Sequence, residues 1–186
     1  MKLFLAAIIV LIVIVAVGEV FKKPLSSEKE SADKFMDGLI LKSSAFQNNG
    51  FIPKKFTCAG ENINPPLEIG NVPEGARSLV LIMDDPDATD GVTWDHWLLW
   101  NIPPGTQSIN EDDVPIYAVQ GTTSFGDLKY GGPCPPPGKA HRYMFKLYAL
   151  DKKLSLTRGA VKSEIEKAME GNILAQAVLI GLYERK

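Results

Sequence analysis

Apolar positions fall along this chain in two regimes. Leu3 to Val17 is unbroken apolar sequence, preceded by Lys2 and followed by Gly18 and Glu19. At 1.5 Å per residue a helix of that length reaches about 23 Å of a ~30 Å hydrocarbon core, so counting on to Val20 and Phe21 gives a thin span. The same segment fits an export signal, with a positive start, an apolar stretch and the small residues Ala16-x-Gly18. Cleaved signal and retained anchor both stay open, because Lys22 and Lys23 blur the charge asymmetry that sets orientation. Pro24 to Lys34 is polar, lacks any apolar period and reads as a tether. The expected division is residues 1–21 as signal peptide or transmembrane anchor, 22–34 as polar linker and 35–186 as the folded domain. That domain is expected outside the cytoplasm, membrane-anchored or secreted.

Beyond Met36 the apolar runs are short and broken by Gly and Pro. Ser78–Asp84 is an apolar run of strand length, ended by Asp85-Pro86, and Trp94–Ile102 is aromatic and apolar, ended by Pro103-Pro104-Gly105. Arg142–Leu150 alternates polar and apolar side chains, as a strand with one wetter face does. IYAVQG (116–121) and AVLIGLY (177–183) are further strand candidates. One stretch carries a helical period: Val161, Ile165 and Met169 recur at i, i+4, i+8, Lys162 and Glu166 form an i, i+4 pair, and Gly171 supplies a stop. The pattern predicts a mainly β protein, an antiparallel β-sandwich with one or two short helices, preceded by the N-terminal apolar helix.

Composition narrows the function. With 45% hydrophobic and 23% charged residues the domain is globular rather than disordered. A net charge of -2 and the lack of basic runs interleaved with aromatics argue against nucleic acid as a partner. The chain has two cysteines, Cys58 and Cys134, and two histidines, His96 and His141, without C-x-x-C or H-x-x-x-H spacing. A structural zinc site is therefore not expected.

Strand period groups the candidate chemistry. It places Trp94, His96, Leu98 and Trp100 on one face of their strand, and His141, Tyr143, Phe145 and Leu147 on one face of theirs. Asp85 and Asp87 are expected to point the same way, with Pro86 fixing the backbone between them. If these strand ends meet, they build a pocket of two imidazoles, carboxylates, a phenol and indole walls. Taken singly, Asp-Pro-Asp reads as a turn, a His beside Trp as a packing residue, and Gly131–Gly138 (GGPCPPPG) as a rigid loop.

Their combination is specific. DDPDA (84–88), WDHWLLWNIP (94–103) and GTTSFGDLKYGGPCPPPGKAHRYMFKLYALD (121–151) resemble the signature of the phosphatidylethanolamine-binding protein family, in its bacterial and archaeal Raf-kinase-inhibitor-like branch. FTCAGENINPPLEI (56–69) and ILAQAVLIGLYER (173–185) resemble the same branch, so the likeness spans Leu39 to Arg185. It implies a β-sandwich with a small anion pocket at one end, formed by Asp85, His96, His141 and Tyr143. Pro136 or its neighbours would form the rim, and Trp94 the mouth. One departure stands out: Thr89 follows Ala88 where the family commonly has Pro. The resemblance also implies that Cys58 and Cys134 face each other beside the pocket, as a disulfide in an oxidising compartment or as two packed thiols.

In that pocket an Asp accepting from one imidazole nitrogen fixes the tautomer and is expected to leave the other N–H facing the ligand. Two such donors and a Tyr hydroxyl suit phosphate or carboxylate oxygens. The expectation is thus non-enzymatic binding of an anionic group, such as a phospholipid headgroup, with no cofactor, no metal and no catalytic residue. The second reading is an inhibitor of serine proteases, less so of kinases, presenting exposed Pro-rich loops. A third is a metal-dependent enzyme, because two His and one Asp imitate a facial iron triad. No nucleophile motif or GxxxxGK[ST] phosphate loop is present in the sequence.

Overall fold

The computed structural model describes residues 38–186. The proposed N-terminal helix and the linker lie outside the described residues. No helix among the described residues is long and apolar enough to cross a membrane.

Two sheets make the fold. β1 (Ile40–Lys42), β3 (Leu67–Gly70) and β6 (Ser108–Ile109) form a small antiparallel sheet in the order β1-β3-β6. The larger sheet runs β2-β9-β8-β4-β5-β7, from β2 (Gly50–Phe51), β9 (Ile173–Tyr183), β8 (His141–Leu150), β4 (Ser78–Asp85), β5 (Trp94–Ile102) and β7 (Val119–Gln120). All its pairs are antiparallel except β2 with β9.

The large sheet is covered on both faces. Leu81, Met83, Trp97, Leu99, Tyr143, Phe145 and Leu147 face the small sheet's Leu41, Leu67, Ile69 and Ile109 in one core. Val80, Ile82, Leu98 and Trp100 face a second core closed by Leu154, Ala160, Ile165 and Met169. Central strand β4 is consequently buried at all eight positions, which is why its stretch Leu79–Met83 is continuously apolar instead of alternating. β8 does alternate, and its Tyr143, Phe145 and Leu147 share the inter-sheet face as its period predicts.

The helix α1 (Lys162–Met169) forms where the i, i+4, i+8 period places it, with Ile165 and Met169 buried. The Glu164 carboxylate accepts a bond from the Val161 N–H at 2.9 Å, and Gly171 beyond its end takes φ 72°. IYAVQG shrinks to the two residues of β7, because Pro115–Ala118 closes a turn through the Ala118 N–H to the Pro115 carbonyl.

One expectation about faces fails, and the reason is a bulge. Met83 opposes Trp97 while Asp84 opposes Asp95, so β5 carries an extra residue, His96, against β4. Alternation resets there. Trp97 and Leu99 enter the inter-sheet core, whereas Leu98 and Trp100 turn to the helix side. His96 therefore shares its face with Tyr143, its ring 5.1 Å away edge-on, and not with Leu98 and Trp100.

Candidate functional site

The bulge, the end of β4 and the start of β8 meet at one corner of the sheet. There a pocket of about 200 Å³ is lined by Asp85, Ala88, Thr89, Trp94, His96, Phe125, Cys134, Pro135, Pro136, His141 and Tyr143. Of the residues singled out from sequence, Asp85, Trp94, His96, Pro136, His141 and Tyr143 are brought together. Asp87 is not among the lining residues. Its carboxylate turns to Arg142, accepting from Nε at 2.8 Å, from NH2 at 2.6 Å and from the backbone N–H at 3.0 Å. That guanidinium pulls the Asp87 carboxyl down to about 2. Asp87 thus clips the β4 end to the β8 start, outside the pocket.

Asp85 has both oxygens engaged. Oδ1 accepts the Asp87 N–H at 2.8 Å and Oδ2 accepts from His141 Nδ1 at 2.8 Å. His96 donates from Nδ1 to the Gly131 carbonyl at 2.6 Å, and the Gly131 N–H returns a bond to the His96 carbonyl at 2.9 Å. Burial lowers the His96 pKa, and the Gly131 carbonyl only partly offsets it. A carbonyl or carboxylate can only accept, so Nδ1 carries the proton in both rings. This corrects the expectation of free N–H donors: a neutral ring has one N–H, already used, so its Nε2 is left as a lone pair.

Tyr143 supplies the remaining polar group. Its hydroxyl is buried and lacks a hydrogen bond of good geometry, although the Asp85 carboxylate lies within its reach. Burial first, and then the Asp85 carboxylate, push its pKa up, so it stays a neutral donor. An unpaired buried hydroxyl costs about 1–3 kcal/mol, which a ligand oxygen in the pocket would recover.

Loop closeness holds the His96 partner in place. The Tyr130 hydroxyl donates to the Phe56 carbonyl at 2.7 Å, and the Gly132 N–H to Asn62 Oδ1 at 2.8 Å. A Cβ on Gly132 would stand 2.6 Å from the Phe56 carbonyl, and one on Gly131 2.5 Å from the Phe125 ring, so the pair Gly131-Gly132 is a requirement of close approach. Cys58 and Cys134 are joined in a disulfide, and Cys134 lines the pocket beside them. Sequence reasoning missed Phe125, whose ring meets both Trp94 at 5.4 Å and His96 at 5.3 Å. Its flanking TTS and GD gave no apolar period to mark it. The Gly131 carbonyl was equally invisible, since a backbone acceptor has no residue type.

On the opposite face of the same strands lies an ion cluster. Asp84 accepts from Lys146 at 2.7 Å and from Lys162 at 2.5 Å, and Asp95 stands 3.4 Å from Lys162. Burial raises the Asp95 pKa against the pull of Lys162. Burial pulls the Lys162 pKa down, but Asp84, Asp95 and Glu166 together hold it above its ordinary value. The cluster ties α1 to the sheet beneath the pocket. No group of three or more His, Cys, Asp or Glu among the described residues is placed to hold a metal ion.

A two-sheet β domain with a polar pocket at its strand ends is the class the geometry defines. The family model for phosphatidylethanolamine-binding protein matches residues 42–184, and the chain belongs to that family. It is 52% identical over 151 residues to the UPF0098 protein PH1269 of Pyrococcus horikoshii, covering 77% of this chain and 76% of that one. With the UPF0098 protein of Methanothermobacter thermautotrophicus it shares 51% identity over 150 residues, 78% of this chain and 98% of the other. The crystal structure of the phosphatidylethanolamine-binding protein homolog CT736 from Chlamydia trachomatis superposes with a TM-score of 0.76 at 42% identity, covering 81% of this chain and 99% of that one. That of YbcL from E. coli, described as a new member of the mammalian family, gives 0.75 at 30% identity, covering 80% and 99%.

Proposed function

We propose that the chain is a non-enzymatic binding protein that holds the phosphate or carboxylate group of a small ligand, such as a phospholipid headgroup, in this pocket. The observation that carries the reading is the Tyr143 hydroxyl, buried without a hydrogen bond of good geometry in a pocket lined by two imidazoles whose Nδ1 atoms are already anchored. About 200 Å³ suits a phosphate-sized group and little more, since pockets for drug-sized ligands start at about 300 Å³. Trp94 and Phe125 at the pocket edge leave room for an apolar continuation of the ligand to lie outside. The family name supports a phosphate-bearing ligand. The disulfide supports an oxidising compartment, and with the N-terminal apolar run it favours an extracytoplasmic domain, anchored or secreted.

Calorimetric titration with phosphate and phosphoethanolamine at about pH 6 tests this against a His96→Ala, His141→Ala double variant. Saturable binding that the double variant loses is expected. Equal binding by both proteins would overturn the assignment.

A second reading, inhibition of a serine protease, is favoured by one feature. In the Pro115–Ala118 turn, Ile116 and Tyr117 are 76% and 82% exposed, and Tyr117 holds φ 72°. A bulky residue in left-handed backbone is strained, and such strain persists where a side chain has work to do. Inhibition of a protease from a serine-protease panel, lost in Tyr117→Gly, would support it.

A further inference from the structure

Strand β9 is an edge strand over most of its length. Its outer side is covered at one end only. There the Asn49 N–H donates to the Ile180 carbonyl at 2.7 Å, the Ile180 N–H donates to Asn48 Oδ1 at 2.9 Å, and the Ile52 N–H donates to the Leu182 carbonyl at 2.7 Å. Those bonds show which way the backbone points. Ile180 and Leu182 turn their polar groups away from β8, and the period of two gives Val178 and Gln176 the same direction. Among the described residues nothing pairs with β9 on that side before Ile180. The open stretch is Ile173–Leu179, with the sequence ILAQAVL.

Open edges are usually blunted by Lys, Pro or an inward-pointing charge. This stretch has no charged residue and no proline, and its Ile173, Leu174 and Val178 are 44%, 45% and 43% exposed. Its one irregularity is a bulge at Leu174, since Ile173 opposes Leu150 while Ala175 opposes Ala149. The stretch also matches itself. Two copies pairing antiparallel must set outward-facing residues opposite each other and must stop short of Asn48 and Asn49. The register that meets both conditions over the whole open stretch puts Gln176 opposite the partner's Gln176, on a twofold axis. Val178 then stands opposite the partner's Leu174, and Ala177 opposite the partner's Ala175. Leu179 comes opposite the partner's Ile173, at a groove of about 250 Å³ that Leu41, Phe46 and Leu179 line. Large apolar residues meet large ones, small meet small, and amide meets amide.

We infer that the protein associates with a second copy of itself through β9, joining the two large sheets into one continuous sheet about a twofold axis. The inference is independent of the anion-pocket reading. A second copy fits this edge better than a foreign strand does. The open stretch ends at Asn48 and Asn49 on one side and at the strand's own start on the other, so a copy of β9 covers it from end to end. No charge on it repels the copy or recruits a charged peptide. Gln176 exchanges a reciprocal pair of backbone hydrogen bonds across the axis, and the outward groups of Val178 find partners beside it. Tyr183 opposes His141 at the far end of β9 from Ile173. Antiparallel joining therefore sends the two pockets to opposite ends of the shared sheet and leaves both open.

Sedimentation velocity of the full chain in a mild detergent, over an about hundredfold range of protein concentration, reads the association. A dimer whose share rises with concentration is expected. Gln176→Lys and Gln176→Glu each set like charges opposite one another on the axis, and each alone is expected to associate at least about tenfold more weakly. Gln176 is exposed, so neither change touches the core, and unchanged urea midpoints check that both variants fold. Mixed in equal amounts, the two variants are expected to regain the dimer, because Lys then meets Glu. Parent protein that stays monomeric throughout overturns the proposal. Association that either variant keeps in full also overturns it, and places the contact elsewhere, such as the N-terminal apolar run. Amide hydrogen exchange reads the edge itself, and the Gln176 and Val178 amides are expected to slow as concentration rises. Slow exchange already in the monomer would mean that another segment of this chain covers the edge. Fast exchange at every concentration would leave the edge to a strand of another protein, and either result overturns the proposal.

Discussion

Replacing Cys58 and Cys134 together by Ser reopens a loop whose ends are 76 residues apart. Both cysteines lie at the exposed surface, so little packing is lost with the sulfurs. The effect is almost entirely on the unfolded chain. Loop-closure entropy for that separation is about 4.5 kcal/mol at 25 °C, and native disulfides removed from small exported domains destabilise by about 2–5 kcal/mol. Against a total stability of about 5–15 kcal/mol this is a large share. Urea unfolding followed by tryptophan fluorescence reads it, because Trp97 and Trp100 are fully buried. With a urea slope of about 2 kcal/mol per molar, the midpoint is expected to fall by about 1–2 M. Reduction of the parent protein should give the same fall. A change below about 0.5 M, or two free thiols in the mass of the unreduced protein, refutes the reasoning, because no cross-link would then constrain the unfolded state.

Three further outcomes follow from the pocket and its supports. Tyr143→Phe removes a buried hydroxyl without a hydrogen bond of good geometry, so stability is expected to hold or rise by up to about 1 kcal/mol while anion affinity falls about tenfold or more; a stability loss above that size in urea unfolding would mean the hydroxyl has a protein partner. His96 has its folded pKa held below the ordinary value by burial, so below about pH 6.5 the unfolded chain binds more protons and stability drops as pH falls through the folded pKa. That pH dependence, read from urea midpoints between about pH 7.5 and 5, should shrink in His96→Gln. Lys162→Met leaves Asp84 buried with Lys146 as its remaining cation, and a loss of about 2 kcal/mol is expected, below the 3–5 kcal/mol typical of a fully orphaned buried charge; an unchanged midpoint would show that the cluster adds nothing to stability.

Strands β4, β5 and β8 were legible in the sequence, the first two as apolar runs closed by Pro86 and Pro103 and β8 by its alternation. The helix was legible from a single three-residue period. Short pairings such as β1, β2 and β6 were not, since two or three residues carry no period and are fixed by their partners. The faces of β5 could be read only up to Trp97. A bulge inserts one residue without altering composition, and here it re-aims His96 toward Tyr143 while sending Leu98 and Trp100 to the other core. Asp87 shows the same limit in the site. Two residues from Asp85, it shares the strand period, yet the turn at Pro86 hands it to Arg142. The ring nitrogens were the largest gap. Sequence gives the histidines and the aspartate, but which nitrogen is spent depends on a Gly131 carbonyl brought in from a distant loop.

The chain has two histidines and the pocket holds both, so imidazole nitrogen NMR of the labelled protein reports on this site alone. In the free protein each ring should show the Nδ1–H that its carbonyl or carboxylate partner holds. Adding phosphate is expected to shift both Nε2 signals, as each gains a hydrogen-bond partner, while Nδ1 stays bonded. Phosphate that binds and leaves both rings unmoved would contradict the account.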